Sequence, residues 1–478
     1  MEKKIIGFVA VLALLGPSAH AQVASSEFEA LRKTIEGLQK QIQIQGQEIA
    51  SLKNQFVKLE ERPVPSYIVP KDQEAFKKSV FDTLEEIRLS EKKETPEEKE
   101  LRTIYDDGFY LKGRDDTLKI GGWYQGDVNF YDRGNEGNDR FRNRRVRLDI
   151  RGVLEDYFEY RLFTQFAGSS ANLQEAWLMY KYFPSARIKM GQFKVPFSLE
   201  SQYSSLWTDF IEKSIGVGNL EPAEDVGLMV YGNPWGGVVE YAVGTFNGRA
   251  RTLEDNNDNF DVAGRLVLAP FKKSKNALVK DFYVGSSLTL GHSDETLAGT
   301  GFTTVGGSRF VTYAANTRHA DQRVRYGGEL QWIYGPGDIK AEYVGAHFND
   351  VERGSLLDSL DVNSWYVSAS YILTGERKVR DKWIDPKRPF SLRDGGWGAW
   401  EAVIRFEQFL VNDSPFNSGF VTGSDRVDAY TLGLNWTPNK HLRLMLNYMI
   451  NDFAQPALLG AESEDSEHLW LGRAQYNF

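Results

Sequence analysis

No cysteine occurs among the 478 residues of this chain. Neither a disulfide framework nor thiolate metal ligation is open to it. A run of apolar residues long enough for a membrane-crossing helix is also missing. Mean hydropathy is −0.44, and the most concentrated stretch, Ile5 to Leu15, is shorter than the roughly 20 residues such a helix needs. Positive charge is not in excess: 57 Lys and Arg stand against 66 Asp and Glu, for a net charge of −9. That balance excludes the basic footprint of a nucleic-acid binder. Histidine is scarce, and His292, His319, His347, His441 and His468 show no metal-ligand spacing. No nucleophile is spaced with a base. Gly327-Gly328 and Gly395-Gly396 sit in strand or turn contexts, not at a strand-to-helix phosphate loop. These absences argue against an enzyme and give no reason to expect a cofactor or a metal.

Aromatic residues are plentiful: 22 Tyr, 29 Phe and 11 Trp. They suit the girdles of a membrane barrel, and a low mean hydropathy is compatible with one because only alternate strand residues face lipid. The stretch His468 to Phe478 shows the pattern most clearly. Trp470, Gly472, Ala474, Tyr476 and Phe478 fall on one side of an extended strand, and Arg473, Gln475 and Asn477 on the other. Taken alone, this segment fits the closing strand of an outer-membrane barrel or an edge strand of a soluble sheet. The rest of the chain favours the barrel. From Thr117 onward the period-two alternation recurs in about sixteen segments. Short connections such as 155–157, 184–185, 234–236, 335–338 and 438–440 alternate with long ones such as 199–224, 293–322 and 454–467. Short periplasmic turns and long outer loops are the barrel pattern. The connection 376–397 breaks it, being too long for a periplasmic turn.

The first 110 residues read differently. Residues 1–21 have the charged start, apolar run and Ala19-His20-Ala21 site of a secretory signal. Residues 22–62 carry a heptad. Phe28, Ile35, Ile42, Ile49 and Phe56 occupy a positions; Leu31, Leu38, Gln45, Leu52 and Leu59 occupy d positions. This predicts a coiled coil, and so a homo-oligomer, unless the helix packs on its own domain. Ile at a with Leu at d favours two strands. Residues 63–110 read as a helical periplasmic connector, with a stripe of Phe76, Val80, Leu84 and Ile87 and a capped charged helix from Thr95 towards Ile104. The predicted fold is an all-β transmembrane barrel of about 16 antiparallel strands over 111–478, preceded by this α-helical segment.

Five segments, in order, resemble the phosphate-selective porin O and P family. They are Arg144 to Leu148, Gly191 to Glu200, Ser370 to Glu376, Gly398 to Glu401 with Arg405, and Thr431 to Trp436. The resemblance implies a trimeric, sixteen-stranded outer-membrane channel for anions with its third outer loop folded into the pore. It does not extend to the coiled coil.

Register taken from the apolar faces puts Lys119, Arg145, Arg147, Arg151, Arg161, Lys181, Arg187 and Lys189 on the lumen side, with Asp127, Asp149, Glu159 and Glu175. On the lipid side each cation would cost about 2–4 kcal/mol near the midplane. An ion pair of Arg147 with Asp149 on the same face is an equally open reading. Lys194, at the entry to the third loop, is the foremost constriction residue. The loop itself is acidic, with Glu200, Asp209, Glu212, Glu221, Glu224 and Asp225 against Lys213. It is expected to oppose the basic wall across a transverse field. The expected function is passive diffusion of small anions, phosphate among them, through an outer-membrane pore. The alternative is a weakly selective porin whose periplasmic coiled coil also links the outer membrane to the cell wall. Expected partners are two further copies of the chain, outer-membrane lipid, permeating anions and, in the alternative, peptidoglycan.

Overall fold

The computed structural model describes residues 102–105, 108–113, 115–132, 139–251, 258–459 and 462–478. The expected signal, the coiled coil and most of the connector lie outside these residues. The alternation seen in the sequence becomes a closed antiparallel barrel of sixteen strands. The first eight are β1 (Thr117–Tyr131), β2 (Arg140–Leu154), β3 (Phe158–Gln165), β4 (Asn172–Tyr180), β5 (Arg187–Lys194), β6 (Glu224–Gly232), β7 (Val239–Phe246) and β8 (Asp261–Leu268). Then come β9 (Asp281–His292), β10 (Gln322–Tyr334), β11 (Gly337–Arg353), β12 (Leu356–Ile372), β13 (Ala399–Val411), β14 (Arg426–Thr437), β15 (Leu442–Leu459) and β16 (Glu462–Asn477). Each pairs with its neighbour in sequence. Closure comes from β16 on β1, with Trp470 opposite Phe130 and Tyr476 opposite Tyr124. Inside this seam Arg473 grips Asp127 with two bonds of 2.7 and 2.9 Å, a fork-to-carboxylate geometry among the stronger polar contacts.

Two boundaries differ from the sequence reading. Of residues 454–467, expected as a long loop, 454–459 continue β15 and 462–467 begin β16, which pair out to Leu459 opposite Glu462 after a register shift beyond Asp452. The connector is not helical up to residue 110. Arg102–Tyr105 and Phe109–Lys112 form a β-hairpin whose second strand pairs with Thr117 to Ile120 of β1. Open backbone groups at the lower end of β1 recruit this hairpin, and a partnered ladder outweighs the local helix signal.

The barrel interior is not uniformly wet. Residues 195–223, the third loop, fold inward and carry two short helices, α1 (Leu199–Gln202) and α2 (Ile215–Leu220). Above α2, strands Gly301–Thr303, Arg309–Tyr313 and Val421–Gly423 form a small sheet. Its Phe302, Phe310 and Tyr313 pack with Ile215, Val217, Val344, Val362, Phe409 and Phe453 in one buried cluster. The inward faces of the outer halves of β11 to β15 are therefore apolar, and that side of the barrel is filled. Open space remains along β1 to β6.

Candidate permeation pathway

The third loop is stitched to the barrel wall by side chains of β1 and of β14 to β16 that reach its main chain. Gln125 Nε2 donates to Ser205 O at 2.8 Å, Arg443 Nη1 to Thr208 O at 2.9 Å and Asn435 Nδ2 to Asp209 O at 2.8 Å. Arg473 Nη1 donates to Ile211 O at 2.5 Å. In the other direction, Ile211 N donates to Asn447, Ile215 N to Glu407, and Leu199 N and Glu200 N to Glu342. Buried backbone groups that water cannot reach are satisfied this way. At Gly216 the loop touches the wall directly: a Cβ there would lie 2.4 Å from Ser364 Cβ and Oγ. Gly216→Val is therefore expected to push α2 off the wall and raise open-channel noise in planar bilayers, with the barrel still assembling. Wild-type conductance and noise would show that the loop tolerates the displacement.

Five of the loop's six acidic residues do not stand across the pore from the wall cations, as the sequence suggested, but are bonded to cations; the sixth, Asp225, accepts from the backbone N–H groups of Val226 and Gly248. Glu212 accepts from Arg144 Nε at 2.6 Å, Arg473 Nη2 at 2.8 Å and Arg145 Nη2 at 3.3 Å. Asp209 meets Lys340 at 2.6 Å and Lys378 at 2.5 Å. Glu200 meets Arg405 at 3.2 Å, Glu221 meets Lys213 at 2.5 Å and Glu224 meets Arg251 at 2.7 Å. Burial works against the charge on Glu212, but Arg145, Arg473 and Arg144 outweigh it and hold the carboxyl well below its usual range. The transverse field is thus cancelled at contact distance, because a chain crossing a lumen this narrow must pair its charges to be buried.

Two cavities lie along the open side. The outer one, of about 310 Å³, is bounded by β2, the third loop and Arg251. The inner one, of about 660 Å³, extends past Lys119, Arg151 and Arg161 to Asp381 and Lys382. Arg147, Lys194, Ser205 and Glu224 line both, so the two cavities meet at a passage between these residues. Arg147 does not pair with Asp149. Asp149 is taken by Arg161, at 2.8 and 3.0 Å, with Arg151 at 3.8 Å. Arg147 instead donates to Gln165, Gln174 and Ser205 at 2.8, 3.0 and 3.2 Å, and its guanidinium lies 5.0 Å from the Phe163 ring centroid.

The other residues read from the sequence share the inward face but not the passage. Arg161 also binds Glu175 at 3.0 Å, and Lys181 lies 3.7 Å from Glu159. Lys119 sits over Tyr110, Arg187 over Tyr231 and Lys189 over Trp177. Lys194 points its Nζ at the carbonyls of Ser201, Gln202 and Tyr203, at 2.8, 3.4 and 2.6 Å. It clamps the turn after α1.

Strict alternation missed Arg142 and Arg144. A bulge lets Gln125 face Arg145 while Gly126 faces Asn143, so Arg144 is the unpaired residue. Successive arginines then both reach Glu212. The signal was present: Arg142 and Arg144 share one parity and Arg145 and Arg147 the other, which a bulge resolves. The connection 376–397, anomalous in the sequence, spans 373–398 between its strands, and part of it enters the barrel. Lys378 is buried between Asp209 and Glu401. Burial opposes its charge, yet Asp209 and Glu401 raise the ammonium above its usual range.

Similarity searches agree with this architecture. OmpT from Vibrio cholerae superposes with a TM-score of 0.50 at 15% identity, over 77% of this chain and all of that one. Salmonella typhi OmpF, solved with daunomycin, gives 0.50 at 12% identity, over 79% and 100%. No curated protein matches the sequence. The family description "Phosphate-selective porin O and P" matches residues 118–478. This chain, an outer-membrane β-barrel that forms a channel for passive diffusion, belongs to the phosphate-selective porin O and P family.

Proposed function

We propose that this channel prefers small anions and passes phosphate among them. The observation that carries the reading is Arg147: it lines the passage and, among the described residues, has no carboxylate within ion-pairing distance. Around the outer cavity, Arg142, Arg144, Arg145, Arg147, Lys194, Lys213 and Arg251 outnumber Glu212, Glu221 and Glu224 by seven to three. Fixed cations in a confined aqueous path raise the local anion concentration. Arginine suits an oxyanion because its planar fork donates two parallel hydrogen bonds. Glu224 shares the passage, so the preference is graded. A reversal potential measured in a bilayer under a potassium chloride gradient should take the sign of anion selectivity, and millimolar phosphate should reduce the chloride current. A cation-selective sign overturns the proposal. Anion selectivity without a phosphate effect leaves a general anion porin.

We further infer that the protein works as a trimer. The number three is what membership of the porin family implies, and the coiled-coil seam in residues 22–62, which needs partner helices, supports association as such. The two-strand preference of its a and d residues describes isolated helices, and an interface between barrels can exceed it. Three barrels would raise the effective concentration of the helices for one another. At about 1.5 Å per residue the seam from Phe28 to Leu59 would reach about 48 Å into the periplasm. Mass measurement in detergent should give three chains for the full protein. It should also give three for a truncation starting at Arg102, which keeps the hairpin on β1. A full-length dimer overturns the inference, and a truncated monomer would assign the number to the coil alone.

A further inference from the structure

Residues 373–398 go to two places. The first limb, 377–381, enters the lumen. Lys378 bridges Asp209 of the third loop and Glu401 of β13, and Arg380 bonds Glu240 at 2.7 and 3.0 Å. The second limb, 388–398, turns back over the rim at the end that carries the short turns. Ser391 and Gly396 pair and close a tight turn with Leu392 and Arg393 at its tip. Phe390 meets the Trp436 ring edge-on at 5.1 Å, Trp436 Nε1 donates to Trp397 O at 2.8 Å, and Trp436 stacks on Trp400 at 5.5 Å. Trp400 and Trp436 alternate with the buried, inward Glu401 and Asn435, so both rings are on the lipid side of the wall. The second limb thus continues the lipid-facing surface past the last turn of strand.

Two of its apolar side chains are bare: Leu392 is 92% exposed and Trp397 is 71% exposed, with exposed Arg393 and Asp394 on the turn beside Leu392. Arg388 donates to Asp394 O at 3.1 Å. Tryptophan settles at the boundary between acyl chains and water, and nearby arginines suit lipid phosphates. We propose that residues 388–398 are a foot seated in the phospholipid headgroup layer on the periplasmic side, which holds the limb 377–381 and through Lys378 fixes Asp209 of the third loop. The foot rests on the family's membrane placement. Its link to permeation rests on the reading of the third loop as the constriction.

The absence of cysteine makes the test direct. Leu392→Cys, labelled with a polarity-sensitive fluorophore and reconstituted into phosphatidylethanolamine and phosphatidylglycerol vesicles, should emit at shorter wavelength than the same label at Lys275→Cys, an exposed site on the turn 269–280. Brominated acyl chains should quench the 392 label and spare the 275 label. Equal emission and equal quenching at the two sites overturn the foot, and heat-modifiable gel migration establishes that each variant is folded. Leu392→Asp and Lys378→Met should each increase open-channel noise, and Lys378→Met should leave the 392 label quenched. Quenching with unchanged noise in both variants overturns the link to the third loop while retaining the foot. Unquenched label with an unaltered anion-selective current separates failure of this proposal from failure of the functional one.

Discussion

Arg147→Glu should lower anion occupancy of the passage by about thirty-fold at low ionic strength, and the anion-to-cation permeability ratio by more than that because cations gain what anions lose. The substitution changes the charge at the passage by two. A unit charge at 4 Å is worth about 1 kcal/mol even in bulk water, and a change of about 2 kcal/mol is roughly thirty-fold in occupancy. The effect should shrink as salt rises, because the screening length falls to about 3 Å at 1 M. Its neighbours Gln165, Gln174 and Ser205 are neutral, so the mutation strands no buried counter-ion. The reversal potential across a salt gradient reads the ratio directly, and an unchanged value would remove Arg147 from the passage. Lys194→Glu is a different experiment. Its carboxylate would face the carbonyls of Ser201, Gln202 and Tyr203, so it should loosen the loop as well as alter the charge. The two variants are expected to differ in channel noise more than in selectivity.

Glu212→Ala should cost about 3–5 kcal/mol in the docking of the third loop, the range seen when one partner of a buried ion pair is removed. Arg473 and Arg145 are buried at this point and would lose a carboxylate they share. The barrel ladder does not depend on this residue, so detergent-resistant folding should persist. Limited trypsin digestion after Lys213 should become fast in the variant and stay slow in the wild type. Comparable digestion rates would mean that the loop is held elsewhere. The same group sets a pH dependence. A carboxyl depressed in the folded state contributes stability above its unfolded value, and that stability is lost only as pH falls through the lower folded value. Asp209 is depressed too, because Lys340 and Lys378 outweigh its burial. The loop should therefore hold through the ordinary glutamate range near roughly pH 4.3 and release below it. A conductance change centred on that ordinary range would contradict the pairing.

Much of the barrel was legible because a strand has two sides and two solvents. Tyr124 and Phe130 alternate with Gln125 and Asp127 since one set meets lipid and the other the lumen. The hairpin of β15 and β16 was harder to place, since the polar run through Glu462 to Glu467 reads as a loop until a partner strand pairs with it. The bulge at Arg144 was legible in principle, as two charge parities meeting in one strand.

The sequence by itself determined the barrel, its strand number, the inward face of its cations and the family to which it belongs. Each of these follows from local alternation and from motifs a few residues long. Only the tertiary structure decided which cations remain free. Arg473 is spent on Asp127 and Glu212, 346 and 261 residues away in the chain, while Arg147 meets only amides and a hydroxyl. It also decided that an apolar cluster fills the lumen beside β11 to β15 and that the cavities lie along β1 to β6. The physical reason is that a charge in a confined space acts on a permeating ion only after its nearest partner has been subtracted, and that partner is chosen by folding across the barrel, not by spacing along the strand.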